Sequence, residues 1–194
     1  MTAEHGPRHG VETLFPGYFA MVMATGIIAI AGAQHELTLV AQVLFAIAGV
    51  TYATLIVLNL ARLVLAPRAL VADLTSHAKG FAFLTAVAAT NVLGSAAGVV
   101  HGWWGAARLL WWLSLLLWAV LLYTTLIAVV VRPDKPGLQA GINGTWFLLT
   151  VSSQSIAALG ALLLAQHPGD LLAFTSLAMF LLGIVLYLIV MTMV

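Results

Sequence analysis

The chain has 194 residues, of which 63% are hydrophobic and 7% charged, with a formal net charge of +1 and no cysteine. Ordinary soluble domains carry about 25% charged residues, so a water-facing surface cannot be built from this composition and lipid is the expected solvent. The charge balance excludes a basic nucleic-acid-binding face, and the missing cysteines exclude disulfides, thiolate metal sites and a cysteine nucleophile.

Six apolar segments are long enough to cross a bilayer as helices, which takes about 20 residues. A polar start over 1–13, carrying both signs of charge, leads into the first, 14–33; without an Ala-x-Ala exit this reads as a retained helix and not a cleaved signal peptide. A break at 34–36 separates it from the second, 38–65, and Ala66-Pro67-Arg68 with the polar stretch 73–77 forms the next turn. The third runs 80–100, the fourth 109–131 after His101-Gly102, the fifth 145–165 after Arg132-Pro133-Asp134-Lys135-Pro136-Gly137, and the sixth 170–194 after His167-Pro168-Gly169-Asp170. None alternates with the period of two that a barrel strand requires. The predicted fold is therefore an all-α integral membrane protein, and the charged residues lie at or between the ends of its segments.

Orientation follows from the basic residues on alternate sides. Arg8, Arg62, Arg68, Lys79, Arg132 and Lys135 fall on one side and Arg108 alone on the other, which predicts a cytoplasmic N-terminal segment over 1–13. Trp103, Trp104, Trp111 and Trp112 then gather at the external end of the third and fourth segments, where an interfacial anchoring role is expected. A weak internal repeat begins each odd-numbered segment: Gly17-Tyr18-Phe19, Gly80-Phe81-Ala82-Phe83 and Gly144-Thr145-Trp146-Phe147. The repeating unit is one helical hairpin, and three hairpins use up nearly the whole chain.

Polar side chains are costly in lipid and normally face other helices or water. Here they concentrate on odd segments: Thr25 on the first; Thr85, Thr90, Asn91 and Ser95 on the third; Thr145, Thr150, Ser152, Ser153, Gln154 and Ser155 on the fifth. Asn91, Gly94, Ser95 and Gly98 follow the spacing of one helix face, and Thr150, Ser153, Ala157 and Gly160 make a comparable stripe. Two readings fit these stripes. They can line a pore, or, since Gly94 and Gly98 form a Gly-x-x-x-Gly motif, they can let helices pack closely. No Asp, Glu or His lies deep in any segment to take up a proton, which favours a passive route over proton coupling. A lining of hydroxyls, amides and backbone dipoles lowers the barrier to an anion without holding it tightly. His5, His9, His35, His77, His101 and His167 all fall outside the apolar segments, and Ser95 and Ser153 have no His on a neighbouring segment, so neither an enzyme nor a bound cofactor is expected.

The run Phe15-Pro16-Gly17-Tyr18-Phe19-Ala20-Met21-Val22-Met23-Ala24-Thr25-Gly26 resembles the opening of the tellurite-resistance/C4-dicarboxylate transporter family, which includes slow-type guard-cell anion channels, malate permeases and sulfite exporters. Phe83-Leu84-Thr85-Ala86-Val87 through Leu93-Gly94 is similar to its third helix, and Asn143-Gly144-Thr145-Trp146-Phe147-Leu148-Leu149-Thr150-Val151 through Gln154-Ser155 to its fifth. The resemblance implies a ten-helix fold of five hairpins around a central pore lined by odd-numbered helices, often assembled as trimers, of which this chain would supply the first three hairpins. It implies Thr25, Gly26, Asn91, Ser95, Thr150 and Ser153 as pore-lining positions. The expected function is channel-like or facilitative transport of small anions, C4-dicarboxylates such as malate or inorganic anions, across the cytoplasmic membrane. The competing expectation is a non-conducting membrane subunit or an inactive truncated form.

Overall fold

The computed structural model describes residues 12–131 and 143–193 together with Gly10. Residues 1–9 of the N-terminal segment, and with them Arg8, His5 and His9, lie outside the described residues, as do Arg132, Asp134, Lys135 and Val194. Three of the seven cations used above for orientation therefore have no described position.

The helices are α1 (Phe19–Gln34), α2 (Thr38–Leu65), α3 (Pro67–Leu74), α4 (Thr85–His101), α5 (Trp104–Val131), α6 (Leu148–Gln166) and α7 (Asp170–Met193). Tight 3-10 turns at Pro16–Tyr18, Gly80–Leu84 and Gly144–Phe147 lead directly into α1, α4 and α6. These turns are the Gly-aromatic repeat of the sequence, so the repeat marks how each odd span is entered. Taken with their entry turns, all helices except α3 are long and apolar enough to cross a bilayer. In lipid every backbone group must be satisfied within its own helix, and the hydroxyls of Thr25, Thr54, Thr90, Ser95 and Ser153 do the same by donating to carbonyls four residues back.

Two elements differ from expectation. The fourth span begins at Trp104, not 109, because Gly102 adopts φ 70° and closes α4 with a left-handed cap, so only Gly102 and Trp103 separate the two helices. Residues 67–74, read from the sequence as part of a turn, form α3. Pro67 sits at its first position, where a missing N–H costs nothing.

The three hairpins pack side by side. α4 lies in the middle of a row between α1 and α6; α2 backs α1 and α4, α5 backs α4 and α6, and α7 packs on α6. Burial follows this layering. In the most apolar stretch of the α4 span 83% of residues are buried, against 11%, 22% and 17% in α2, α5 and α7. The odd spans thus form an inner row and the even spans an outer layer whose large apolar side chains, Leu39, Val64, Leu116 and Phe174 among them, face outward. An all-α, multi-pass membrane protein follows from this arrangement.

Glycines set the closeness of the row. A Cβ on Gly26 of α1 would lie 2.7 Å from Val92 Cγ1 of α4, and one on Gly94 of α4 would lie 2.8 Å from Leu159 Cδ2 of α6. Gly98 lies directly against the Trp104 ring. The Gly-x-x-x-Gly face of α4 is therefore in use as a packing surface against α5 and α6.

Candidate functional site

The six positions carried forward from the sequence do not converge on one lining. Asn91 is buried between α4, α5 and α6: its Nδ2 donates to Val87 O and to Ser155 Oγ of α6, both at 3.0 Å, while its Oδ1 accepts from Ser114 Oγ of α5 at 2.7 Å. Ser153 is buried against the outer layer, donating to Leu149 O and accepting from Trp118 Nε1 of α5 at 3.1 Å. Ser95 donates to Asn91 O at 2.9 Å and keeps 8% of its surface open. Thr25 is half-buried and bonds Met21 O of its own helix, and Gly26 closes on Val92. Thr150 is half-buried, yet its Oγ1 is shielded and has no hydrogen-bond partner. Asn91 and Ser95 are thus joined through one helix, while Ser153 belongs to a separate contact.

Two indoles tie α5 to α6. Trp111, expected as an interfacial anchor, is fully buried, and its Nε1 donates to Ile156 O at 3.0 Å. The absent side chain of Gly160 makes room there: a Cβ would press on the Trp111 indole nitrogen and on Ser176 of α7. The signal that separates Trp111 from its neighbours is the buried stripe Ala107, Trp111, Ser114, Trp118, Leu122 and Thr125, which keeps the spacing of one helix face. Trp103 and Trp112 are exposed as expected, and Trp103 stacks on His101 at 4.6 Å between ring centres.

The free front of the inner row is defined by what covers the rest. α4 has neighbours behind and on both sides, and between Thr85 and Val99 only Val92 and Val99 are more than marginally exposed. They stand seven residues apart with Ser95 between them, on one stripe. On α6 the adjoining stripe is Val151, Ser155, Ala158 and Leu162, all at least partly exposed, with Ser155 held by Asn91 across the seam. This front is neutral, mostly apolar, and punctuated by Ser95 and Ser155.

One end of the row carries charge. Arg62, in the last turn of α2, is buried; its guanidinium donates to Leu14 O and Glu12 O, each at 2.9 Å, and to Asp73 Oδ2 at 2.6 Å. Lys79 donates to the other oxygen of Asp73 at 3.0 Å. Burial alone would raise the Asp73 carboxyl, but the hydrogen bonds and charges of Arg62 and Lys79 outweigh it and hold the group below its ordinary value. Thr85 Oγ1 lies 3.1 Å from Pro16 O, tying the same entry turn to α4. Among the described residues no cluster of His, Asp and Glu is arranged to hold a metal ion.

The family model described as SLAC1, voltage-dependent anion channel, matches residues 13–194. The chain belongs to this family. The match covers all three hairpins, so the inner row of α1, α4 and α6 and its outer layer are elements of that family's fold. No curated protein and no solved structure matches the chain. Family membership makes this a membrane protein of an anion-channel class and gives no support to an enzyme reading.

Proposed function

We propose that the chain moves small anions passively across the cytoplasmic membrane, with residues 1–13 in the cytoplasm and the free front of α1, α4 and α6 as the path. The observation that carries this reading is the family match over 13–194. Physically, a front built from Val92, Ser95, Val99, Val151 and Ser155 supplies hydroxyl dipoles without fixed charge, which lets an anion pass without being trapped. The charged side chains of the described residues sit in the loops or at helix ends, as with Arg62, Arg108 and Asp170, so no proton-accepting group lies midway. C4-dicarboxylates such as malate and small inorganic anions are the substrate classes, and a homo-oligomer, a trimer by resemblance, is the assembly.

A second reading has its own support. Asn91 and Ser153 are fully bonded inside the bundle and act there as packing elements, which suits a non-conducting membrane subunit. Reconstitution separates the two. Purified protein in liposomes should carry a current whose reversal potential follows the malate or chloride gradient and ignores a pH gradient; no anion current would leave the subunit reading standing.

A further inference from the structure

A cavity of about 240 Å³ lies behind the inner row, between α2, α3, α4 and α5, on the side away from the free front. Its walls include Ile56 and Leu63 of α2, Leu70 and Leu74 of α3, Ala86 of α4 and Leu117 of α5. The exposed side chains of Leu60 and Leu63 stand at its mouth, which opens sideways toward lipid. An apolar void facing hydrocarbon holds no water and forfeits dispersion contacts unless something apolar fills it. At roughly 30 Å³ for a water-sized group, the volume takes about eight methylenes of an acyl chain.

Three features select which molecule brings that chain. First, α3 is an amphipathic helix that closes one end of the cavity: Leu70 and Leu74, one turn apart, point into it, while Arg68 is exposed. A short helix of this kind suits the membrane interface. Second, the mouth of the cavity lies near one edge of the hydrocarbon layer. α2 has 28 residues and is about 42 Å long against a hydrocarbon layer of about 30 Å, so centred it projects about 6 Å at each end. Leu60 and Leu63 at the mouth, five and two residues before Leu65, then bracket the boundary between hydrocarbon and headgroups. Third, the adjoining end of the bundle is basic: Arg68 is exposed on α3, two residues from Leu70, and Arg62 and Lys79 share the single carboxylate of Asp73.

We propose that this cavity is a binding site for an anionic phospholipid, with one acyl chain in the apolar pocket and the acidic headgroup on the side of Arg68. The site is separate from the anion path and does not depend on it. Its role would be to wedge α3 against α2 and α5 and so to fix the end of the hairpin that Arg62 anchors.

Native mass spectrometry of the delipidated chain, titrated with phosphatidylglycerol and with phosphatidylcholine of the same acyl chains, tests it. One phosphatidylglycerol should be retained with about fivefold preference, the attraction of roughly one basic residue near a membrane surface. Arg68→Gln should reduce that preference to near unity. Ala86→Leu should fill the pocket and weaken retention of both lipids at least tenfold. Leu60→Trp blocks the mouth from an exposed position, leaves the packing of the helices intact, and should do the same. Equal retention of the two lipids by the parent chain would overturn the headgroup assignment, and unchanged retention in Leu60→Trp would overturn the pocket.

Discussion

Replacing Arg62 with Met tests whether the buried guanidinium is what fastens the N-terminal entry turn to the bundle. The substitution keeps the stem and removes two charge-assisted bonds to the carbonyls of Glu12 and Leu14 and one to Asp73. Such bonds are worth about 1.5–3 kcal/mol each, and orphaning one member of a buried pair costs about 3–5 kcal/mol. Here Lys79 stays on Asp73, and the freed carbonyls belong to exposed Glu12 and partly exposed Leu14 ahead of the entry turn, so the expected loss is at the lower end, about 2–4 kcal/mol. Asp73 adds a pH signature. Its folded-state carboxyl lies below the ordinary 3.8, so its ionised form favours the folded state. That contribution is fully present above the unfolded value and is lost as pH falls through the depressed one. The parent chain should therefore lose stability on acidification below about pH 4, and Arg62→Met should lose less of it over the same range. Unfolding in mixed micelles, followed by tryptophan fluorescence at several pH values, reads both effects. A variant within 0.5 kcal/mol of the parent (about the scatter of a neutral surface change), with the same acid limb, would refute the fastening role.

Two further outcomes follow from the inner row. Asn91→Leu removes two interhelical bonds while Ser114 and Ser155 keep carbonyl acceptors on their own helices, Trp111 O and Ser152 O, so the loss should be about 1–2 kcal/mol; a double-mutant cycle with Ser155→Ala should give a coupling near 1 kcal/mol, and zero coupling would dissolve the pair. Thr150→Val replaces a shielded hydroxyl that has no partner and should leave stability unchanged or raise it by about 1 kcal/mol; a clear loss in the same micellar unfolding assay would mean that the hydroxyl is bonded in the membrane.

The six spans were legible because runs this long and this apolar admit one structure in lipid, and the odd-even layering was legible because Asn91, Ser95, Ser153 and their neighbours crowd onto alternate segments. The Gly-aromatic repeat correctly marked the start of each unit. What the spacing could not give was the neighbour each stripe meets. Asn91 and Ser95 share a stripe, yet one is spent on α5 and α6 while the other borders the free front, a difference that helical periodicity does not encode. Trp111 was lost for the same kind of reason: beside Trp112 it looks interfacial, and only the alignment with Ser114 and Trp118 turns it inward. The α3 helix was hidden because Pro67 reads equally as a turn residue and as a first helical residue, and its apolar side is meaningful only against the cavity below it.

A free front of the inner row that faces a water-filled route for anions can be tested residue by residue, because the sequence contains no cysteine. Single substitutions Val92→Cys, Ser95→Cys and Val99→Cys, with Leu116→Cys on the outward face as the lipid control, should be exposed to a charged, membrane-impermeant thiol reagent in proteoliposomes. The front positions should label, more slowly when malate or chloride is present at high concentration, while the control stays unlabelled. Front positions that react no faster than Leu116→Cys would place them in lipid or in dry packing and contradict the account.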